Sequence, residues 1–88
     1  MIITMVQRRV DHNIMDLSLE KEDGEFRACG SSSYNDPDTY WVKKYDYKRK
    51  GCPPKFLLER VVLELGFPFA MLNQIYVHLE ELGIAINE

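Results

Sequence analysis

Hydrophobic and polar positions change their rhythm once along this chain, near Gly51. Before that point apolar residues tend to recur at every second position. Met15, Leu17 and Leu19 alternate with Asp16, Ser18 and Glu20, the pattern of a strand with one buried face. Residues 2–10 begin apolar on both alternating faces (Ile2, Thr4 and Val6 against Ile3 and Met5), which suits a strand buried on two sides. Asp11-His12-Asn13 is a turn signal. Asp23-Gly24 is a hairpin signal, because a type I′ turn needs positive φ at both central positions. A two-residue loop there sets Glu22 opposite Glu25, Lys21 opposite Phe26, Glu20 opposite Arg27 and Leu19 opposite Ala28. That register joins an acid to a base and keeps the apolar residues on one face. The pattern predicts strands over 2–10, 14–21, 25–32 and 39–47. A polar loop is expected before the last of them, through Ser31-Ser32-Ser33 and Asn35-Asp36-Pro37-Asp38.

After Gly51 the period lengthens to that of a helix. Pro53-Pro54 suits a first turn, where a missing N–H costs nothing. Phe56, Leu57, Leu58, Val61, Val62, Leu63 and Leu65 leave only Lys55, Glu59, Arg60 and Glu64 as polar positions, so a largely buried helix is expected over 54–65. On that reading Leu63 is core, and Leu63→Ala should cost roughly 2–5 kcal/mol. Gly66 stops the helix and Phe67-Pro68 restarts the chain. Met71, Leu72, Ile75, Tyr76, Leu79 and Leu82 then recur at helical spacing over 68–82. Gly83 with Ile84 behind it marks the end, and Ile84-Ala85-Ile86 is read as a short added strand. The order gives an α+β fold: a four-stranded, mainly antiparallel sheet followed by two helices packed on one face. Eighty-eight residues hold one core, so residues 1–88 form a single domain.

Composition narrows the function classes. A hydrophobic share of 45% with 28% charged residues is that of a globular protein rather than a disordered one. No apolar run reaches the roughly 18–20 residues of a membrane helix. The opening MIITMVQRR puts its charges after a short apolar stretch, so it is read as mature structure rather than a signal peptide. Two cysteines, Cys29 and Cys52, make neither a disulfide framework nor a zinc spacing, and a cytoplasmic location is the expectation.

The net charge of −3 conceals a segregation. Residues 1–38 hold four Lys/Arg against eight Asp/Glu, residues 39–60 seven against two, and residues 61–88 none against four. The basic segment centres on TYWVKKYDYKRKG, residues 39–51, with four aromatic rings, five cations and one acid. On an extended strand Tyr40, Val42, Lys44 and Asp46 share one face, and Trp41, Lys43, Tyr45 and Tyr47 share the other. With the aromatic face outward, the row could stack unpaired bases beside Lys43, Lys48, Arg49 and Lys50. With that face inward, the rings are core and Lys43 snorkels to the edge. The overall acidity argues against a dedicated duplex-DNA binder. The helix–Gly-Phe-Pro–helix segment has no Lys or Arg between Pro68 and Leu82, so it does not suit a recognition helix.

Catalytic chemistry has little support. Cys52 follows three cations and precedes a helix start, both of which favour a thiolate. Neither His12 nor His78 can be set beside it from spacing, and Cys29 is read as inert. The glycines are isolated, so there is no phosphate loop. Asn35-Asp36-Pro37-Asp38 lacks the glycine and distal glutamate of a calcium loop. No metal and no cofactor are expected.

The sequence therefore reads as a non-catalytic binding protein acting through protein–protein contact, an inhibitor or adaptor, a class that includes viral and mobile-element proteins. The partner is expected to present an acidic surface, and a homodimer is compatible with the chain. The candidate contact residues are Trp41, Lys43, Lys44, Tyr45, Tyr47, Lys48, Arg49 and Lys50. Single-stranded nucleic-acid binding through residues 39–50 is the alternative, and an enzyme with a reactive cysteine comes third.

Overall fold

The computed structural model describes residues 1–87. Its elements are β1 (Ile2–Val10), β2 (Asn13–Glu22), β3 (Glu25–Asn35), β4 (Tyr40–Tyr47), α1 (Pro54–Leu65) and α2 (Ala70–Glu81). The four strands form one antiparallel sheet in the order β1-β2-β3-β4, and the two helices pack on it, as the change of period predicts. The β2–β3 hairpin has the expected register from Glu22↔Glu25 through Leu19↔Ala28. Asp23 and Gly24 take φ of 52° and 80°, the left-handed pair that this tight turn requires.

The core lies between one sheet face and the helices. Leu17, Leu19 and Ala28 meet Leu57, Leu58, Val61 and Val62 of α1 and Met71, Ile75 and Leu79 of α2, all fully buried. Burial of this kind stabilises by roughly 1.5–3 kcal/mol per large side chain, and it selects which face of every strand turns inward. Gly30 is central to the fit. A Cβ at that position would stand 2.5 Å from both Leu65 Cδ1 and Val61 Cγ1, so its bare backbone is what lets α1 lie close to β3. The helix layer is anchored at its ends. Gly66, at φ 67°, caps α1, and Lys55 N–H donates to the Ile86 carbonyl at 2.9 Å.

Four expectations are corrected. β1 is not buried on two sides: it is an edge strand in which only Val6 is buried, because the helices cover one sheet face. Leu63 is 67% exposed and is not core, because it lies on the side of α1 opposite Val61, Leu58 and Leu65. The apolar excess in α1 exceeds what one sheet face can cover. Next, Ser31-Ser32-Ser33 belong to β3, which runs on to Asn35. Asn13 holds that extension, its Nδ2 donating to Ser33 O at 2.7 Å and to Ser32 Oγ at 3.2 Å. Only residues 36–39 remain as the β3–β4 loop. Finally, Ile84-Ala85-Ile86 form no strand. Ile84 and Ile86 pack partly buried against the core, and the tail bonds the first turn of α1, away from any sheet edge it could extend.

No helix among the described residues is long and apolar enough to cross a membrane.

Candidate functional site

Cross-strand register decides which way the aromatic row points. Tyr45 stands opposite Gly30, itself opposite Leu17, and Tyr47 stands opposite Ala28, itself opposite Leu19. Directly opposed residues share a face, so Trp41, Lys43, Tyr45 and Tyr47 are on the helix side. Lys44 and Asp46 are on the open side with Tyr40 and Val42. The eight candidate residues consequently do not form one surface. Seven fall into three groups, and Lys44 stands alone on the open face.

The first group lies at the end of the sheet next to the β3–β4 loop. Trp41 stacks on Tyr34, with centroids 5.9 Å apart and planes 11° apart, and His12 meets Tyr34 edge-on at 5.9 Å. Lys43 Nζ stands 5.3 Å from the Trp41 centroid. The loop below is fastened by Asp36, whose Oδ1 accepts from Asp38 N–H and Thr39 N–H at 2.8 and 2.7 Å, while Tyr34 OH donates to Oδ2 at 2.9 Å. The Tyr34 hydrogen bond, with the backbone donors, holds the Asp36 carboxyl below its ordinary range; the same bond holds the Tyr34 phenol above its own. Tyr34 and His12 were not candidates from sequence, because residues 33–35 read as loop. The extension of β3 brings Tyr34 beside Trp41.

The second group is Tyr45 and Tyr47, partly buried under α1. Arg60 reaches down from the helix, its guanidinium 5.5 Å from the Tyr47 centroid and its Nε donating to Tyr45 OH at 3.4 Å. Phe56 joins them, 6.1 Å from Tyr47. On the outer side of α1, Phe56 (44% exposed) and Leu63 line up two turns apart, with Arg60 between them. This ridge also escaped the sequence reading, where both apolar residues passed as core. The polar spacing of Glu59, Arg60 and Glu64 was the available signal, since it marks the outer face.

The third group is the basic turn at the other end of β4. Lys48 Nζ pairs with Glu25 at 3.2 Å, while Arg49 and Lys50 make no ion pair among the described residues. An exposed pair of this kind is worth about 0–1 kcal/mol, so the turn remains a cationic surface. Lys44 stands apart on the open sheet face, in a shallow groove with Arg27, Cys29 and Asp46.

The cysteines offer little to catalysis. Burial pushes the Cys29 thiol up to about 12, helped by Asp46 and Glu20, so it stays protonated. Cys52 sits half-buried before α1, while His12 packs against Tyr34 and His78 Nδ1 pairs with Thr4 Oγ1 at 3.2 Å. The described residues contain no cluster of three or more His, Cys, Asp or Glu able to hold a metal ion. No family model matches the chain, and neither the curated proteins nor the solved structures contain a match to it.

Proposed function

We propose that this chain is a non-catalytic, cytoplasmic binding protein that works by contacting another protein. The observation that carries the reading is the Phe56–Arg60–Leu63 ridge of α1. It presents an aromatic, an arginine and a leucine at the i, i+4, i+7 spacing by which helices engage partners. Aromatic and arginine side chains dominate interface energetics, and Arg60 is already ordered by Tyr45 and Tyr47. The basic turn Lys48-Arg49-Lys50 leads into the same helix, so a partner with an apolar centre and an acidic rim is the fitting complement. The charges would raise the association rate, and the ridge would slow dissociation.

Two surface variants test this. Leu63→Asp and the triple reversal of Lys48, Arg49 and Lys50 to Glu both alter exposed side chains, so both should keep the wild-type melting temperature. A protein captured by the wild-type chain should be lost by the first variant and associate more slowly with the second, most visibly at low salt. Capture unchanged in both would refute the reading.

Single-stranded nucleic-acid binding is the second reading, supported by the Tyr34–Trp41 stack with Lys43 over it. Trp41 is the only tryptophan, so its emission reports directly on this site. Quenching by single-stranded RNA that weakens steeply with salt would favour this reading over the first.

A further inference from the structure

We propose that the chain forms a two-fold symmetric dimer through the edge of β4, joining two sheets into one of eight strands. The inference is independent of the ridge on α1 and rests on the backbone phase and the charge order of β4.

The phase follows from the loop. Asp36 N–H donates to the Thr39 carbonyl at 2.9 Å, and Asn35 N–H donates to the His12 carbonyl at 3.1 Å. Hydrogen-bonded and non-bonded pairs alternate along an antiparallel ladder. Trp41, Lys43, Tyr45 and Tyr47 therefore bond to β3. Tyr40, Val42, Lys44 and Asp46 direct their N–H and C=O groups outward, with no strand among the described residues to receive them. The β3–β4 register runs unbroken over all eight residues of β4. At the other edge, β1 carries an irregularity between Ile2 and Thr4, and α2 packs beside it through His78 and Thr4. A bulge blunts an edge, and the β3–β4 register has none.

Only registers that place outward-facing residues opposite one another can form the new ladder. Centred on Tyr45, a second copy sets Lys44 opposite Asp46 twice and Lys43 opposite Tyr47 twice. Shifting the centre to Lys44 sets Lys44 against its own copy. Moving it to Asp46 sets the two Asp46 residues against each other and Lys44 against Lys48. The lysines that repel an arbitrary neighbouring strand are thus complementary in the Tyr45 register.

The helix layer permits the approach. α1 lies over β3 and β4. That places it about one strand spacing, ~4.8 Å, from the two-fold axis, so the two copies of α1 stand roughly 10 Å apart. Packed helices adopt about that separation. Leu63 is 67% exposed, and Phe56 packs beside Tyr47 at the β4 edge. The register also carries Arg49 to the side of Trp41 in the second copy, reuniting the basic turn with the Tyr34–Trp41 stack that the single chain holds at opposite ends of β4.

Charge reversal on the open face provides the test, read by sedimentation equilibrium across a concentration series. Lys44→Asp and Asp46→Lys should each weaken self-association roughly tenfold or more, since two attractive pairs become repulsive. The double variant should recover it, and an equimolar mixture of the two single variants should form a heterodimer. Both side chains are exposed, and unchanged melting curves confirm folding. On the wild-type chain, hydrogen exchange at the amides of Val42, Lys44 and Asp46 should slow as concentration rises. A wild-type chain that stays monomeric throughout would overturn the proposal. So would a dimer indifferent to both single reversals, or a mixture that fails to pair.

Discussion

Tyr34 and Trp41 lie flat on one another across the β3–β4 ladder, 5.9 Å between centroids, and the Tyr34 hydroxyl is held by Asp36 one turn of loop away. The stack is therefore coupled to a carboxylate whose protonation would release it. Asp36 has a depressed folded value, so its contribution is complete above the unfolded aspartate range of about 3.9 and is lost as pH falls through the lower folded value. Tyr34 has a raised folded value, so its contribution is complete below about 10 and is lost as pH rises through that higher value. Trp41 emission followed against pH should show a transition at each extreme. Asp36→Asn should abolish the acid one, and Tyr34→Phe should abolish the alkaline one. An acid transition that persists in Asp36→Asn would show that another group controls the loop.

Gly30 should tolerate almost nothing larger. Gly30→Ala must displace Val61 and Leu65 or lift α1 from β3, at roughly 1–3 kcal/mol. Gly30→Val should leave the chain largely unfolded at room temperature, since small domains have only about 5–15 kcal/mol in hand. Urea titration followed by circular dichroism measures both. An alanine variant as stable as the wild type would show that the helix layer yields without strain.

Leu58 and Leu63 share a helix and a residue type but not an environment. Leu58→Ala should cost roughly 2–5 kcal/mol by lost transfer energy and a cavity. Leu63→Ala should stay within about 0.5 kcal/mol, as for most exposed substitutions. Equal losses in the two variants, measured by thermal melts, would place Leu63 in a buried contact.

Cys29 should resist alkylation. In a Cys52→Ser background, iodoacetamide at mildly alkaline pH should modify Cys29 far more slowly than a free thiol, because the thiolate is suppressed by burial and by Asp46 and Glu20. Unfolding in urea should restore the ordinary rate. Rapid labelling of the folded chain, read by mass spectrometry, would revive a chemical role for this position.

What was legible in the sequence was local. Alternation set β2, the Asp23-Gly24 dipeptide set its hairpin and register, and the lengthened period after Gly51 set both helices. Each depends on interactions within a few residues, which is why it survives in a linear reading. Three further features came from tertiary structure. The inward face of β4 depended on which side the helices landed, and that is decided by the summed burial of Leu17, Leu19 and Ala28, on other strands. The exposure of Phe56 and Leu63 followed from geometry, since a single sheet face covers only part of a helix's circumference. The partner of Trp41 was hidden because the serines preceding Tyr34 read as loop, whereas pairing with β2 and the Asn13 side chain carried the strand on to Asn35. Periodicity can say that a residue has two faces to choose from, but the choice is made by contacts between segments far apart in the chain.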